Sequence, residues 1–345
     1  MTKASRTRMS SAVTPFDTTQ RPRVTVLGAG NVGTAITQRL FDSNQIGELI
    51  LYSSVPDLAA AKALDITHSA ERTGSPATVV GTSRVEETAE SDMVVVASSV
   101  PYRPGSTRSD QAHANRAMIG ELTQRAASVS PSAVVVVVTN PVEQMCHIVY
   151  ESTGFAASRV LGSAGLLDSN RLATVLAREM GTARCNVSAM VLGEHGSRMF
   201  CASKETIVDG TPIASLLTGA EIRSMVEIAR QEANQIVQGL RTATPSLAPA
   251  ACTARMIAEL FNPTGQLMPC TVHLDGQYGV RGVFIGAPVR LGNRGVETIA
   301  EVPLTPAEHE AMLCGAQQIR ATARRVQQPG VRAATTAGAA HTSRP

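Results

Sequence analysis

Val24-Thr25-Val26-Leu27-Gly28-Ala29-Gly30-Asn31-Val32-Gly33 is the stretch that decides the fold. A short apolar run of strand length meets three glycines at G-x-G-x-x-G spacing, and helical spacing follows over Thr34–Phe41. In such a turn the first glycine permits a tight bend. The second lets the backbone approach a pyrophosphate, and the third lets helix and strand pack closely. The helix N-terminus offers free N–H groups and a positive dipole end to that anion. Gly28, Gly30, Asn31, Val32 and Gly33 are therefore candidate dinucleotide contacts. The loop alone is weak evidence, because glycine-rich strand–helix turns also form without a ligand.

The flanking pattern supplies the context. Leu49–Tyr52, Thr78–Val80, Met93–Ala97 and Val134–Val138 read as further short strands with helical spacing between them. Five consecutive valines at 134–138 leave no polar face, which suits a parallel strand covered on both sides. Repeated strand–helix–strand units predict an α/β fold, a Rossmann-type doubly wound parallel sheet over residues 23–163. Beyond it the texture changes. Ser169–Met180, Ser215–Gly239 and Ala248–Phe261 are helical, while Val187–Leu192, Thr271–Leu274 and Val283–Pro288 are strand-like. These predict an α+β domain over 164–326. Its last helix starts at Thr305-Pro306-Ala307-Glu308, where threonine caps and glutamate reaches back, and runs to about Val326.

Composition narrows the function classes. The chain has 345 residues, 43% apolar and 17% charged, which suits two packed soluble domains. No apolar run reaches the roughly 18–20 residues that cross a bilayer, so no membrane partner is expected. Six scattered cysteines without a Cys-x-x-Cys predict buried thiols and no metal site. The net charge of +3 is uneven: residues 1–23 carry +4 and 320–345 carry +5, which leaves the body at −6. A mildly acidic body argues against nucleic acid as a partner. Residues 1–22 and 327–345 read as disordered tails. The N-terminal one is Arg/Ser-rich, so an organelle transit peptide is the lesser alternative to a plain extension.

Several segments carry chemistry. Thr139-Asn140-Pro141 ends the valine strand at the carboxyl edge, where such sheets bind ligands. Tyr102-Arg103-Pro104-Gly105-Ser106-Thr107-Arg108 is a polar Pro/Gly loop suited to a lid. Asp168-Ser169-Asn170-Arg171 opens a helix, and its spacing of three puts both charges near one face. Gly193-Glu194-His195-Gly196 flanks a histidine with glycines.

In this order, together with Asn115, Gln277-Tyr278-Gly279-Val280 and Gly286-Ala287-Pro288-Val289, the motifs resemble the lactate/malate dehydrogenase family of L-2-hydroxy acid dehydrogenases. The resemblance covers nearly all of Arg23–Val326 and looks nearest to the lactate-dehydrogenase-like bacterial malate dehydrogenases. It implies NAD as cofactor, a small 2-oxo or 2-hydroxy acid as substrate, a cytoplasmic location and a homodimer or homotetramer. It implies His195 as general acid/base and Asp168 as its orienting carboxylate. Arg171 would clamp the substrate carboxylate, Arg108 from the lid would polarise the carbonyl, and Asn140 would hydrogen-bond the same oxygen. Asn115, Val138 and Asn140 would join the glycine loop as cofactor contacts.

Two departures bear on specificity. Ser53 stands where the family has an acidic residue for the ribose hydroxyls, so NADP is expected to be accepted alongside NAD. Tyr102 stands where an arginine goes with malate and a glutamine with lactate, so a neutral 2-oxo acid is expected in place of strongly preferred oxaloacetate. Thr244-Pro245-Ser246-Leu247-Ala248-Pro249, the other specificity segment, is also unusual. The alternative is a non-catalytic dinucleotide-binding sensor or interaction subunit on the same scaffold.

Overall fold

The computed structural model describes residues 21–70, 77–100, 108–241 and 244–327, with backbone alone for 108–112 and 325–327. Both tails and most of the proposed lid, including Tyr102 and Arg103, lie outside the described residues, as does the Arg108 side chain. The N-terminal half alternates strand and helix: β1 (Arg23–Leu27), α1 (Asn31–Asp42), β2 (Glu48–Tyr52), α2 (Leu58–His68), β3 (Thr78–Thr82), β4 (Met93–Val96), α3 (Arg108–Val129), β5 (Val134–Val137), α4 (Val142–Thr153) and β6 (Val160–Gly162). These six strands form a parallel sheet in the order β3-β2-β1-β4-β5-β6.

Every residue of β4 and β5 is buried. The two-residue strand period divides them between two cores. Val24, Val26, Met93, Val95, Val134 and Val136 pack with Ile36 and Leu40 of α1 on one face. Leu27, Val94, Val96, Val135 and Val137 pack with Ile119 of α3 and Met145 and Val149 of α4 on the other. The valine run thus serves two layers at once, as a doubly covered parallel strand requires.

The C-terminal half contains α5 (Ala164–Glu179), β7 (Val187–Ser188), β8 (Val191–Gly193), β9 (Met199–Cys201), β10 (Ile207–Val208), β11 (Thr211–Pro212), α6 (Gly219–Leu240), α7 (Leu247–Phe261), β12 (Met268–Asp275), β13 (Arg281–Gly292), β14 (Gly295–Ile299) and α8 (Pro306–Gln327). The parallel sheet does not stop at β6. It continues through β12, β13, β8 and β9 in antiparallel pairing, so a single sheet crosses both halves.

Several boundaries differ from the sequence reading, β12 and β13 being longer than expected at both ends, and three of the differences have a clear cause. Val187–Leu192 is not one strand. Met190 gives its N–H to Thr206 Oγ1 at 3.0 Å and takes the Ala202 N–H at 2.8 Å, and there the chain passes from the small sheet (β7) to the large one (β8). The helix carrying Asp168 begins at Ala164, so Asp168 lies in its second turn and does not open it. The small and apolar residues Ala164–Leu167 are buried, and packing extends the helix backward. The helix expected from Ser215 begins at Gly219, because Thr218 and Glu221 form a capping box. The expected Thr305–Glu308 box is present, with the Thr305 N–H donating to Glu308 Oε2 at 2.9 Å.

The glycine loop shows why its spacing is specific. A Cβ on Gly33 would stand 1.8 Å from the Gly28 carbonyl oxygen, so α1 packs against the turn only through glycine. Gly28 itself has φ +119°, which disfavours any side chain. Gly30 is different: its backbone is extended, and a Cβ there would meet nothing within 4 Å. Gly33→Ala should therefore lower stability by about 1–3 kcal/mol, measured by denaturant unfolding. Gly30→Ala should fold with stability changed by about 0.5 kcal/mol or less. It should nevertheless weaken dinucleotide binding about tenfold, because the added methyl occupies the approach path.

Candidate active site

The carboxyl ends of the parallel strands open into a cleft of about 750 Å³. Its wall runs from Tyr52 and Ser53 after β2, past Gly28–Val32 after β1 and Ala97–Val100 after β4, to Val138–Asn140 after β5. It ends on His195 from the C-terminal half, with Thr244, Pro245 and Pro249 closing that side. This is the position, between β1 and β4, where the sheet order reverses and ligands of doubly wound folds bind.

His195 and Asp168 meet there. Nδ1 of His195 lies 2.6 Å from Asp168 Oδ2. Asp168 is 4% exposed, and its Oδ1 accepts from Arg171 Nη1 at 3.2 Å. A buried carboxylate is costly unless its oxygens are paired, and here both are. The adjacent Ser169 fixes the geometry further: its Oγ accepts the Val191 N–H of β8 at 2.8 Å, which pins α5 to the strand that leads into His195. With Nδ1 facing a carboxylate, the imidazole can exchange a proton at Nε2.

Asn115 sits apart from the cleft wall. It is fully buried on α3. Its Oδ1 accepts the Val100 N–H at 2.8 Å, and its Nδ2 donates to the Asn140 carbonyl at 3.1 Å and to Ser99 Oγ at 3.5 Å. The amide therefore ties together the loops after β4 and β5. Gly33 is likewise absent from the wall and acts in packing. Ser53 is on the wall, with its Oγ turned to accept the Val55 N–H at 3.1 Å.

A dinucleotide suits this cleft. The open space over Gly30 and the α1 N-terminus, which carries no acidic residue in its first turn, can receive a pyrophosphate. Lys62 of α2 adds a positive charge behind the loop, where Nζ donates to the Ala29 carbonyl at 2.8 Å and to Thr34 Oγ1 at 3.1 Å. Thiol chemistry is disfavoured for Cys146 and Cys201, because burial pushes the first well up and the second to about 12.

Residues 22–162 match the family model described as lactate/malate dehydrogenase, NAD binding domain, and 166–328 match the lactate/malate dehydrogenase alpha/beta C-terminal domain. The chain belongs to the lactate/malate dehydrogenase family. It is an oxidoreductase acting on the CH–OH group of a 2-hydroxy acid. Among similar proteins, a malate dehydrogenase from Chloroherpeton thalassium is 38% identical over 304 residues, covering 88% of this chain and 98% of its own. The crystal structure of a Cryptosporidium parvum lactate dehydrogenase with lactic acid and NAD superposes with a TM-score of 0.85 at 30% identity, covering 90% of this chain and 99% of that one. A Salinibacter ruber malate dehydrogenase gives 0.82 at 30% identity, covering 88% and 97%.

Two residues of this dehydrogenase escaped the sequence reading. Lys62 is one, and its only signal is a lone cation in the alanine-rich helix Leu58–His68. Glu143 is the other, a buried acid in the first turn of α4. Asn115→Ala should remove the buried amide that bridges Val100 and the Asn140 carbonyl. It should cost about 1–3 kcal/mol in unfolding free energy and should raise KM for the cofactor.

Proposed function

We propose that His195 is the proton carrier in reversible reduction of a 2-oxo acid, with the substrate held between the nicotinamide and the His195–Asp168 pair. The 2.6 Å Nδ1–Oδ2 contact at the end of the dinucleotide cleft carries this reading. In the reducing direction the imidazolium gives its Nε2 proton to the carbonyl oxygen as C2 gains a hydride and the C=O π bond becomes an alkoxide lone pair. The bound cofactor supplies that hydride. Asp168 orients the ring and balances the imidazolium charge. Arg171, whose Nη1 already leans on Asp168, presents its remaining N–H groups to the substrate carboxylate. Asn140 on the wall donates to the reacting oxygen, and Arg108, the first residue of α3, joins it from the lid. Residues 23–163 serve the cofactor and 164–326 the substrate.

Specificity follows from the two departures. Tyr102 offers a ring face and a hydroxyl where a second carboxylate would need a cation, a loss of about 1.5–3 kcal/mol for oxaloacetate. A neutral 2-oxo acid is the proposed substrate. Ser53 places no negative charge at the ribose end, so NADPH is accepted beside NADH.

The experiment is steady-state reduction of a panel of 2-oxo acids with each cofactor. His195→Ala should lose about three or more orders of magnitude in kcat. Ser53→Asp should cut kcat/KM for NADPH about tenfold or more while leaving NADH within about threefold. A wide preference for oxaloacetate would overturn the substrate assignment and point to Arg103, beside Tyr102, as the cation. A preference for NADH of about a thousandfold, or about 4 kcal/mol, would overturn the cofactor assignment.

A further inference from the structure

Asp168 holds the His195 ring through Nδ1, and two further buried carboxylates, Glu143 and Glu194, lie close to it in the fold or the chain. Glu143 approaches from the other half of the molecule. It is 3% exposed, and its Oε1 accepts the His195 main-chain N–H at 2.6 Å across a separation of 52 residues. Glu194, the neighbour of His195 in the chain, is also buried, and its Oε2 has no hydrogen-bond partner among the described residues.

We propose that Glu143 is a positioning residue for proton transfer: it clamps the loop that carries the imidazole, and its buried negative charge favours imidazolium over imidazole. The inference rests on His195 being the proton carrier.

The charge has support where it sits. Glu143 is in the first turn of α4, where the helix dipole favours an anion. On balance its carboxyl lies above the usual carboxylate range: burial pushes it up most, the charge and N–H of His195 and its own backbone N–H pull it back, and Glu194 pushes it up. The effect of His195 on Glu143 is reciprocal, so ionised Glu143 stabilises the imidazolium by the same coupling energy. Other groups face the pair. Cys146, one turn along α4, has its thiol raised by burial and by the Glu143 charge. Asp168 of α5 meets the ring at Nδ1, and Arg171 pairs with the other oxygen of that carboxylate. Asp168 therefore governs the ring through Nδ1, and Glu143 governs it through the backbone and through space.

Two variants separate clamp from charge. Glu143→Gln keeps an acceptor oxygen and removes the charge, whereas Glu143→Ala removes both. The readouts are the NMR titration of the His195 imidazole and the pH profile of kcat/KM for 2-oxo acid reduction. Reduction needs the imidazolium, so activity is lost as pH rises through the imidazole midpoint. Removing a negative neighbour should move that midpoint, and the limb with it, downward by about half a unit or more in both variants, a change of about threefold. kcat at low pH should stay within about threefold for Glu143→Gln and fall about tenfold or more for Glu143→Ala, with NADH affinity unchanged. An NMR midpoint that does not move in either variant that folds would overturn the proposal, as would wild-type kcat in Glu143→Ala. A midpoint that falls while the kinetic limb stays put would leave the Glu143 coupling standing and remove His195 from the chemistry.

Discussion

The hydrogen bond between His195 Nδ1 and Asp168 Oδ2 is the constraint around which the C-terminal side of the cleft is organised. It joins a loop after β8 to the second turn of α5, and neither element could hold the imidazole alone. The buried Asp168 carboxylate needs two donors, which His195 and Arg171 supply. The loop needs a fixed path. Ser169 holds the strand before it, and Glu143 holds its backbone from α4 of the other half. These ties link α4, α5 and β8 through one set of buried polar groups, so each supports the geometry of the others.

The sheet explains how two halves share one cleft without a flexible joint in the core. Parallel strands from the N-terminal half end at the cleft and deliver the glycine loop, Ala97–Val100 and Asn140 to one edge. The same sheet runs on through β12 and β13 to β8, which leads into His195. The distance from glycine loop to imidazole is therefore set by backbone pairing. Asn115, buried on α3, ties together the loops after β4 and β5 at that edge.

Much of this could be read in the sequence where local pattern and tertiary need coincide. The G-x-G-x-x-G turn, the valine run and the Thr305–Glu308 capping box carry their meaning in adjacent residues; the turn and the box form as expected, and four of the five valines make β5 while Val138 follows it onto the cleft wall. Where long-range contacts decide, the pattern misleads. Val187–Leu192 looks like one strand because nothing local records that Thr206 and Ala202 claim Met190. The sequence pattern puts the α5 start too late because burial, not a capping residue, extends the helix back to Ala164. Glu143 follows Asn140-Pro141-Val142 as an ordinary first-turn acid, and only the fold brings the His195 N–H to it. Asn115 reads as a ligand contact, yet packing turns its amide onto the protein's own loops.

The most direct measurement of the central claim is isotope transfer from NADH deuterated at the nicotinamide C4 to product, followed by mass spectrometry and NMR. The account predicts one deuterium at C2 of the 2-hydroxy acid, formed rapidly by the wild-type enzyme and about a thousandfold more slowly by His195→Ala. Turnover that leaves C2 unlabelled, or a His195→Ala enzyme that transfers the label at the wild-type rate, would contradict it.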